Sequence, residues 1–174
     1  MSYRTIISAA LVLLLQSCGG SGLPERYQLR DSWYFRYDSA QVGIAEEWYT
    51  GPVDHEHWRT VPAGSYWDEQ YDGWGWYRQS VWLPEPKTDR SIALVITEVE
   101  DSARVWFNDS LLTNRSDQSG AFYTDIRTLY ESGQENSIAI LVEDSGGRGG
   151  LSGNVYFQKY LDERELLKTN EQVK

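Results

Sequence analysis

Residues 71–84 read Tyr-Asp-Gly-Trp-Gly-Trp-Tyr-Arg-Gln-Ser-Val-Trp-Leu-Pro and place Trp74, Trp76 and Trp82 within nine positions. Such a density of indole rings in a chain of net charge −10 has two readings. The rings form the buried face of a β-strand, or they line a platform for a flat apolar ligand surface. From Trp76 to Leu83 alternate side chains face opposite ways. Trp76, Arg78, Ser80 and Trp82 then share one face, and Tyr77, Gln79, Val81 and Leu83 the other. Neither face is cleanly apolar, so this strand is expected to be covered on both sides, with Trp76 in the core. Trp74 falls before Gly75, in a loop with Tyr71, Asp72 and Gly73 that Trp67, Asp68 and Gln70 precede. Aromatic faces beside short polar groups suit a pyranose: the ring meets its C–H face while Asp and Gln take its hydroxyls. Trp67, Asp68, Gln70, Tyr71 and Trp74 are therefore candidate ligand residues, the alternative being that these rings cap the end of a barrel.

Outward from this stretch the chain breaks into short runs separated by turn residues. Strands are predicted over Trp33–Tyr37, Trp58–Val61, Trp76–Leu83, Ser91–Thr97, Ala103–Asn108, Ala121–Ile126, Ser137–Val142 and Val155–Tyr160. Runs of this length without a long helical period indicate an all-β sandwich or jelly roll. Arg127–Ser132, stopped by Gly133, reads as one helical turn. Leu161–Lys174 is a charged tail. All eight Trp lie between Trp33 and Trp106, as expected if half-buried pleated surface is concentrated in that part of the fold.

The N-terminus has a separate purpose. The apolar run Thr5–Leu15 is too short to span a bilayer, which needs about 20 residues, but suits a secretory signal. Leu15-Gln16-Ser17-Cys18 closes it and resembles a bacterial lipobox, which implies cleavage after Ser17 and a lipid on Cys18. Cys18 is the only cysteine, so no intramolecular disulfide and no cysteine-based metal site can form. Residues 1–17 are thus expected to be a signal peptide, 18–28 a lipidated cysteine with a Gly/Ser-rich tether, 29–160 the folded domain and 161–174 the tail. With 16 basic and 26 acidic residues and no basic run, nucleic acid is not an expected partner. Attachment to a bacterial envelope membrane, periplasmic or at the surface, would rest on lipid rather than charge.

Several motifs resemble one family. Gly75-Trp76-Tyr77-Arg78 followed by Leu83-Pro84 is similar to the GWYRR…LP strand of the sugar-binding domain of family 2 glycoside hydrolases, the galactose-binding-like jelly roll of β-galactosidases and β-glucuronidases. Val99-Glu100-Asp101-Ser102-Ala103, with Val105 and Asn108, resembles its VDDAA-x-V-x-x-N-G turn and strand. Phe122–Ile126, then Gly133, Asn136-Ser137 and Val142-Glu143-Asp144, resembles its PF-x-x-DIT ending, and Trp33–Arg36 its opening strand. The likeness covers about residues 29–160 and implies a single-domain jelly-roll β-sandwich with a carbohydrate-related role. Asp109 stands where the family has Gly, and Asp117–Gly120 replaces its His-x-Gly-Gly loop. The immunoglobulin-like domain and catalytic barrel that carry the family's two catalytic carboxylates have no counterpart up to Lys174.

Glycoside hydrolysis needs two carboxyl groups about 5–5.5 or 6.5–9.5 Å apart. Glu98, Glu100 and Asp101 cluster at a strand end, where Asp101 alternatively fixes the turn through backbone amides. His55 and His57, with Asp54 or Glu56, form an imaginable metal group or simply an ordinary loop. Gly150-Leu151-Ser152-Gly153 lacks the spacing of a nucleophile elbow. Ser145–Gly153 leads from strand to strand and reads as a connection with Arg148 as its one polar hand. No cofactor is expected. The resulting expectation is a non-catalytic, lipid-anchored carbohydrate-binding domain. Its rivals are an accessory part of a split glycosidase acting with a catalytic subunit, and an envelope interaction lipoprotein without sugar affinity.

Overall fold

The computed structural model describes residues 25–67, 71–84, 91–115, 122–160 and 164. Ten strands follow in order: β1 (Arg26–Gln28), β2 (Ser32–Tyr37), β3 (Arg59–Pro62), β4 (Gly73–Leu83), β5 (Ser91–Ile96), β6 (Ser102–Phe107), β7 (Ser110–Arg115), β8 (Phe122–Asp125), β9 (Gln134–Asp144) and β10 (Val155–Tyr160). They form two antiparallel sheets, one of order β1-β10-β5-β8 and one of order β3-β2-β4-β9-β6-β7. The all-β sandwich expected from the short runs is what the chain forms.

The interior lies between the sheets. Trp33 and Phe35 of β2, Tyr77, Val81 and Leu83 of β4, Ile138, Ile140 and Val142 of β9, and Val105 and Phe107 of β6 face Ile92, Leu94 and Ile96 of β5 and Val155 and Phe157 of β10. Alternation explains why each strand alone looks only half apolar. β5 is the exception, with all six residues buried, because Ala93 and Val95 pack against Tyr156 and Tyr160 on the far face.

The outer face of the larger sheet is covered too. Trp76, Trp106, Ala139 and Leu141 lie beneath a long connection from which Ile44, Trp48, Tyr49, Val53 and Trp58 pack down. Tyr49 stacks on Trp106 with ring centroids 5.0 Å apart, and Trp106 lies 5.1 Å from Trp76. The buried carboxylate of Asp38 pins this cover. It accepts hydrogen bonds from the Val42 and Gly43 amides and from Nε1 of Trp76 at 2.8–3.0 Å. From the sheet side the buried Arg78 donates Nη2 to the Gly51 carbonyl. The double coverage expected for this strand is therefore present.

Three local readings are corrected. β4 begins at Gly73, not Trp76: Gly75 continues the ladder opposite Val142. It is glycine because a Cβ there would come within 2.6 Å of the Trp67 ring. Trp74 is accordingly a strand residue. Residues 26–28, expected within the tether, are a strand instead: Arg26–Gln28 pair with Gln158–Tyr156 and set Arg26 4.4 Å over the Tyr156 ring. β7 was not foreseen. A two-residue turn with Asn108 and Asp109 both at positive φ joins it to β6, the hairpin conformation that Asn and Asp tolerate. The single turn after Ile126 is present, with the Tyr130 amide bonded to the Ile126 carbonyl and Gly133 at φ 70°.

Candidate functional site

Of the candidate ligand residues, Trp67, Tyr71 and Arg148 lie at one rim, where β4 begins, β9 ends and the 145–153 connection crosses. Trp67 is half-buried. Its Nε1 donates to the Tyr77 hydroxyl at 2.7 Å and its amide to the Gly149 carbonyl at 2.9 Å. Gly75 and Gly149 are both glycines that the indole requires, a Cβ on either coming within 2.6 Å of it. Tyr71 lies 5.6 Å from Trp67 and 4.4 Å from Tyr37, ring to ring. Arg148 sits 5.4 Å over the ring of Tyr66, one of the few large apolar side chains exposed (39%) among the described residues. Tyr66 was not marked in the sequence. Its only signal was adjacency to Trp67.

Trp74 is not part of that group. It shares its face of β4 with Trp76, whereas Trp67 rests on Gly75 of the opposite face. The two rings therefore cannot form one platform. Trp74 packs on the outer-face cluster beside Arg104, whose guanidinium is 5.3 Å from its ring and ion-paired to Glu143 at 2.8 Å. Asp68 and Gln70 lie outside the described residues, as do Cys18, the signal segment and, Arg164 aside, the tail.

The same rim collects acids. Asp101 accepts hydrogen bonds from the Ser145 hydroxyl at 2.7 Å and the Ser145 amide at 2.9 Å, which pull its carboxyl below the ordinary value of 3.8. It thus ties β6 to the 145–153 connection. Burial pushes Glu100 up, helped by Glu98, Asp101 and Asp144. Asp144 is 6% exposed; desolvation raises it, then Asp101 and Asp72, against the Gly146 amide. Burial pushes the Tyr77 phenol to about 12, so it stays protonated and serves as a hydrogen-bonding hub.

The histidine stretch divides. His57 Nδ1 contacts Asp54 Oδ2, and with Glu56 these exposed groups lie within 4.8 Å of one another, close enough to hold a cation. Asp54 also caps the Glu56 amide, an ordinary loop arrangement. His55 turns away, its ring edge on Tyr34 at 4.9 Å.

These features define a jelly-roll β-sandwich, the fold class of galactose-binding-like domains, with an aromatic rim backed by acidic groups. Among solved structures it is similar to a β-glucuronidase of Ruminococcus gnavus, with TM-score 0.67 and 19% identity over 76% of this chain and 28% of that one. It is likewise similar to the same organism's β-glucuronidase in complex with D-glucuronic acid (0.67, 18%, 76% and 29%) and with a C6-substituted uronic isofagomine (0.68, 16%, 77% and 29%). The chain thus spans less than a third of those proteins' length, and at this identity the likeness speaks for the fold. No protein-family model and no curated protein matches the sequence.

Proposed function

We propose that this chain is a non-catalytic carbohydrate-binding domain, held at the bacterial cell envelope by a lipid on Cys18. The observation that carries the reading is the rim: Arg148 over the exposed Tyr66, next to Tyr71 and Trp67. Aromatic faces supply stacking surface to the C–H side of a sugar, and Arg148, Asp68 and Gln70 supply hydrogen bonds to its hydroxyls. Trp74 contributes only by supporting the strand. Asp101 is engaged by the Ser145 hydroxyl and amide, which gives that acid a structural role at the strand end.

The test is a glycan screen of the soluble form beginning near Gly22. Tyr71→Ala and Arg148→Ala should each weaken capture about tenfold, or 1.4 kcal/mol. Silence across the screen removes the reading. Turnover of aryl glycosides that disappears on changing Glu98, Glu100 or Asp101 removes the non-catalytic part of it. The likeness to β-glucuronidases favours one second reading, an accessory part of a glycosidase. Co-purification of a catalytic chain together with gain of turnover would establish that alternative.

A further inference from the structure

Trp82 is the anomaly of β4. Trp33, Trp58, Trp76 and Trp106 are buried and Trp48, Trp67 and Trp74 half-buried, yet Trp82 is 62% exposed although its strand is paired there with β9. It lies on the outer face, at the end of the strand opposite the rim. Against the 52–55 part of the cover, the sheet holds a cleft of about 340 Å³, within the range of about 300–1,000 Å³ usual for ligand sites, with Pro52, Val53 and His55 of the cover in its walls. Ser80 and Glu135 line this cleft. Ser80 is two residues from Trp82 on the same face, and Glu135 is directly across from it in the β4–β9 register. The Cβ atoms of such facing pairs stand about 5 Å apart, so Trp82 borders the cleft beside Glu135 without being one of its lining residues.

The other walls are mixed, with Trp33, Pro52 and Val53 apolar and the rest polar. Arg30 borders the cleft, and no carboxylate among the described residues pairs with its guanidinium. Its backbone is fixed by the buried Gln79, which donates to the Arg30 and Ser32 carbonyls and accepts from the Arg30 amide. Tyr34 and His55, edge to face at 4.9 Å, close one side. An open indole face, one free cation, one free anion and hydroxyl groups around a cleft suit a ligand with an apolar face and a ring of hydroxyls. A phosphate-bearing ligand would meet Glu135 and a chain of net charge −10.

We propose that this cleft is a second saccharide site, with a neutral pyranose stacked on Trp82. Arg30 donates to its hydroxyls and Glu135 accepts from them. Trp82 and Gly73 are nine residues apart on β4, about 30 Å along the strand, so one short glycan cannot occupy both sites. The inference shares only the ligand class with the rim reading and stands or falls separately.

The experiment uses the full-length chain with ¹⁵N-labelled indoles, in a detergent without a sugar headgroup. Neutral tetrasaccharide pools from cellulose, xylan, mannan and galactan are titrated, with D-glucuronic acid as the charged comparison. The Trp82 indole signal, assigned by its loss in Trp82→Phe, should shift with at least one neutral pool and not with glucuronic acid. Trp82→Ala should weaken binding of that pool, read by calorimetric titration, at least about tenfold, as loss of a stacking platform does, and leave the melting temperature unchanged. Arg30→Ala should also weaken it, while Arg148→Ala should not. A Trp82 signal that stays fixed in every neutral pool overturns the second site, whether or not rim signals move. Calorimetric binding lost in Arg148→Ala but kept in Trp82→Ala overturns it while sparing the rim. Silence at both ends overturns both readings.

Discussion

Trp76 has no surface in water, whereas Trp82, six residues further on the same face of the same strand, is mostly solvated. The difference is the cover: Trp48 and Tyr49 lie over Trp76, and its Nε1 reaches Asp38 at 3.0 Å. Trp76→Ala should therefore destabilise by about 3–5 kcal/mol, the usual effect of emptying a large aromatic site. It also strips one donor from a buried carboxylate. Trp74→Ala removes a half-buried ring and should lower stability by less than half as much, without changing glycan capture at the rim. Thermal scans of the two variants check this ordering; equal losses would mean that Trp74 is core. Asp101 makes a prediction with a sign. Its folded-state carboxyl is depressed, so its stabilisation is present above the unfolded value of 3.8 and is lost as pH falls through the lower folded value. Asp101→Asn should cost about 0.5–1 kcal/mol at neutral pH, allowing for solvent screening, and nothing in strong acid. Melting temperatures of the two proteins compared across pH read this directly, and a gap that persists in acid would contradict it.

At the scale of elements, the connection from Asp38 to Trp58 covers the outer face of the larger sheet. It has no strand ladder of its own and is held by Asp38, by the Arg78 bond to Gly51 and by rings pressed into the sheet. Asp38→Ala leaves three donors without an acceptor, at about 1–1.5 kcal/mol for each net bond. The expected result is early proteolytic cleavage between residues 39 and 57 while amide exchange at Ile138–Val142 stays slow. Simultaneous loss of both protections would show that the cover and the sheet unfold as one unit. Strands such as β2 and β6 were legible in the sequence because period-two burial leaves a trace in their runs, whereas β1 and β7 were not foreseen. The cover was not, because Ile44, Trp48, Tyr49, Val53 and Trp58 follow no period and their burial is dictated by the outer faces of β4, β6 and β9. Gly75 misled for a related reason. A glycine within a run reads as a break, and only Trp67, from another segment, reveals that it is a close-approach site. That misplaced strand start is what put Trp74 beside Trp67 in the sequence reading. By contrast Trp67, Tyr71 and the distant Arg148 do share one rim, a proximity carried by the order of motifs around the sandwich.

For the molecule as a whole, the proposed envelope attachment has to come from lipid, because anionic headgroups would repel a chain of net charge −10. If the lipid on Cys18 is the attachment, Cys18→Ser should appear in the soluble fraction or remain unprocessed. Membrane retention after signal removal would rule that attachment out. The two sheets bury apolar side chains on three layers, so the free domain should keep its fold once released. The stack of Tyr49, Trp106 and Trp76 has a spectroscopic corollary. Rings 5.0 and 5.1 Å apart, tilted by 11° and 31°, sit in a chiral and nearly rigid array. Their excited states couple, and the coupling registers as circular dichroism beyond what a β-sandwich backbone contributes. Only Tyr49 of the three comes from the cover, so lifting that segment changes the signal while the sheet beneath remains intact. The protein thus carries an optical gauge of how firmly its cover is seated, readable without any label.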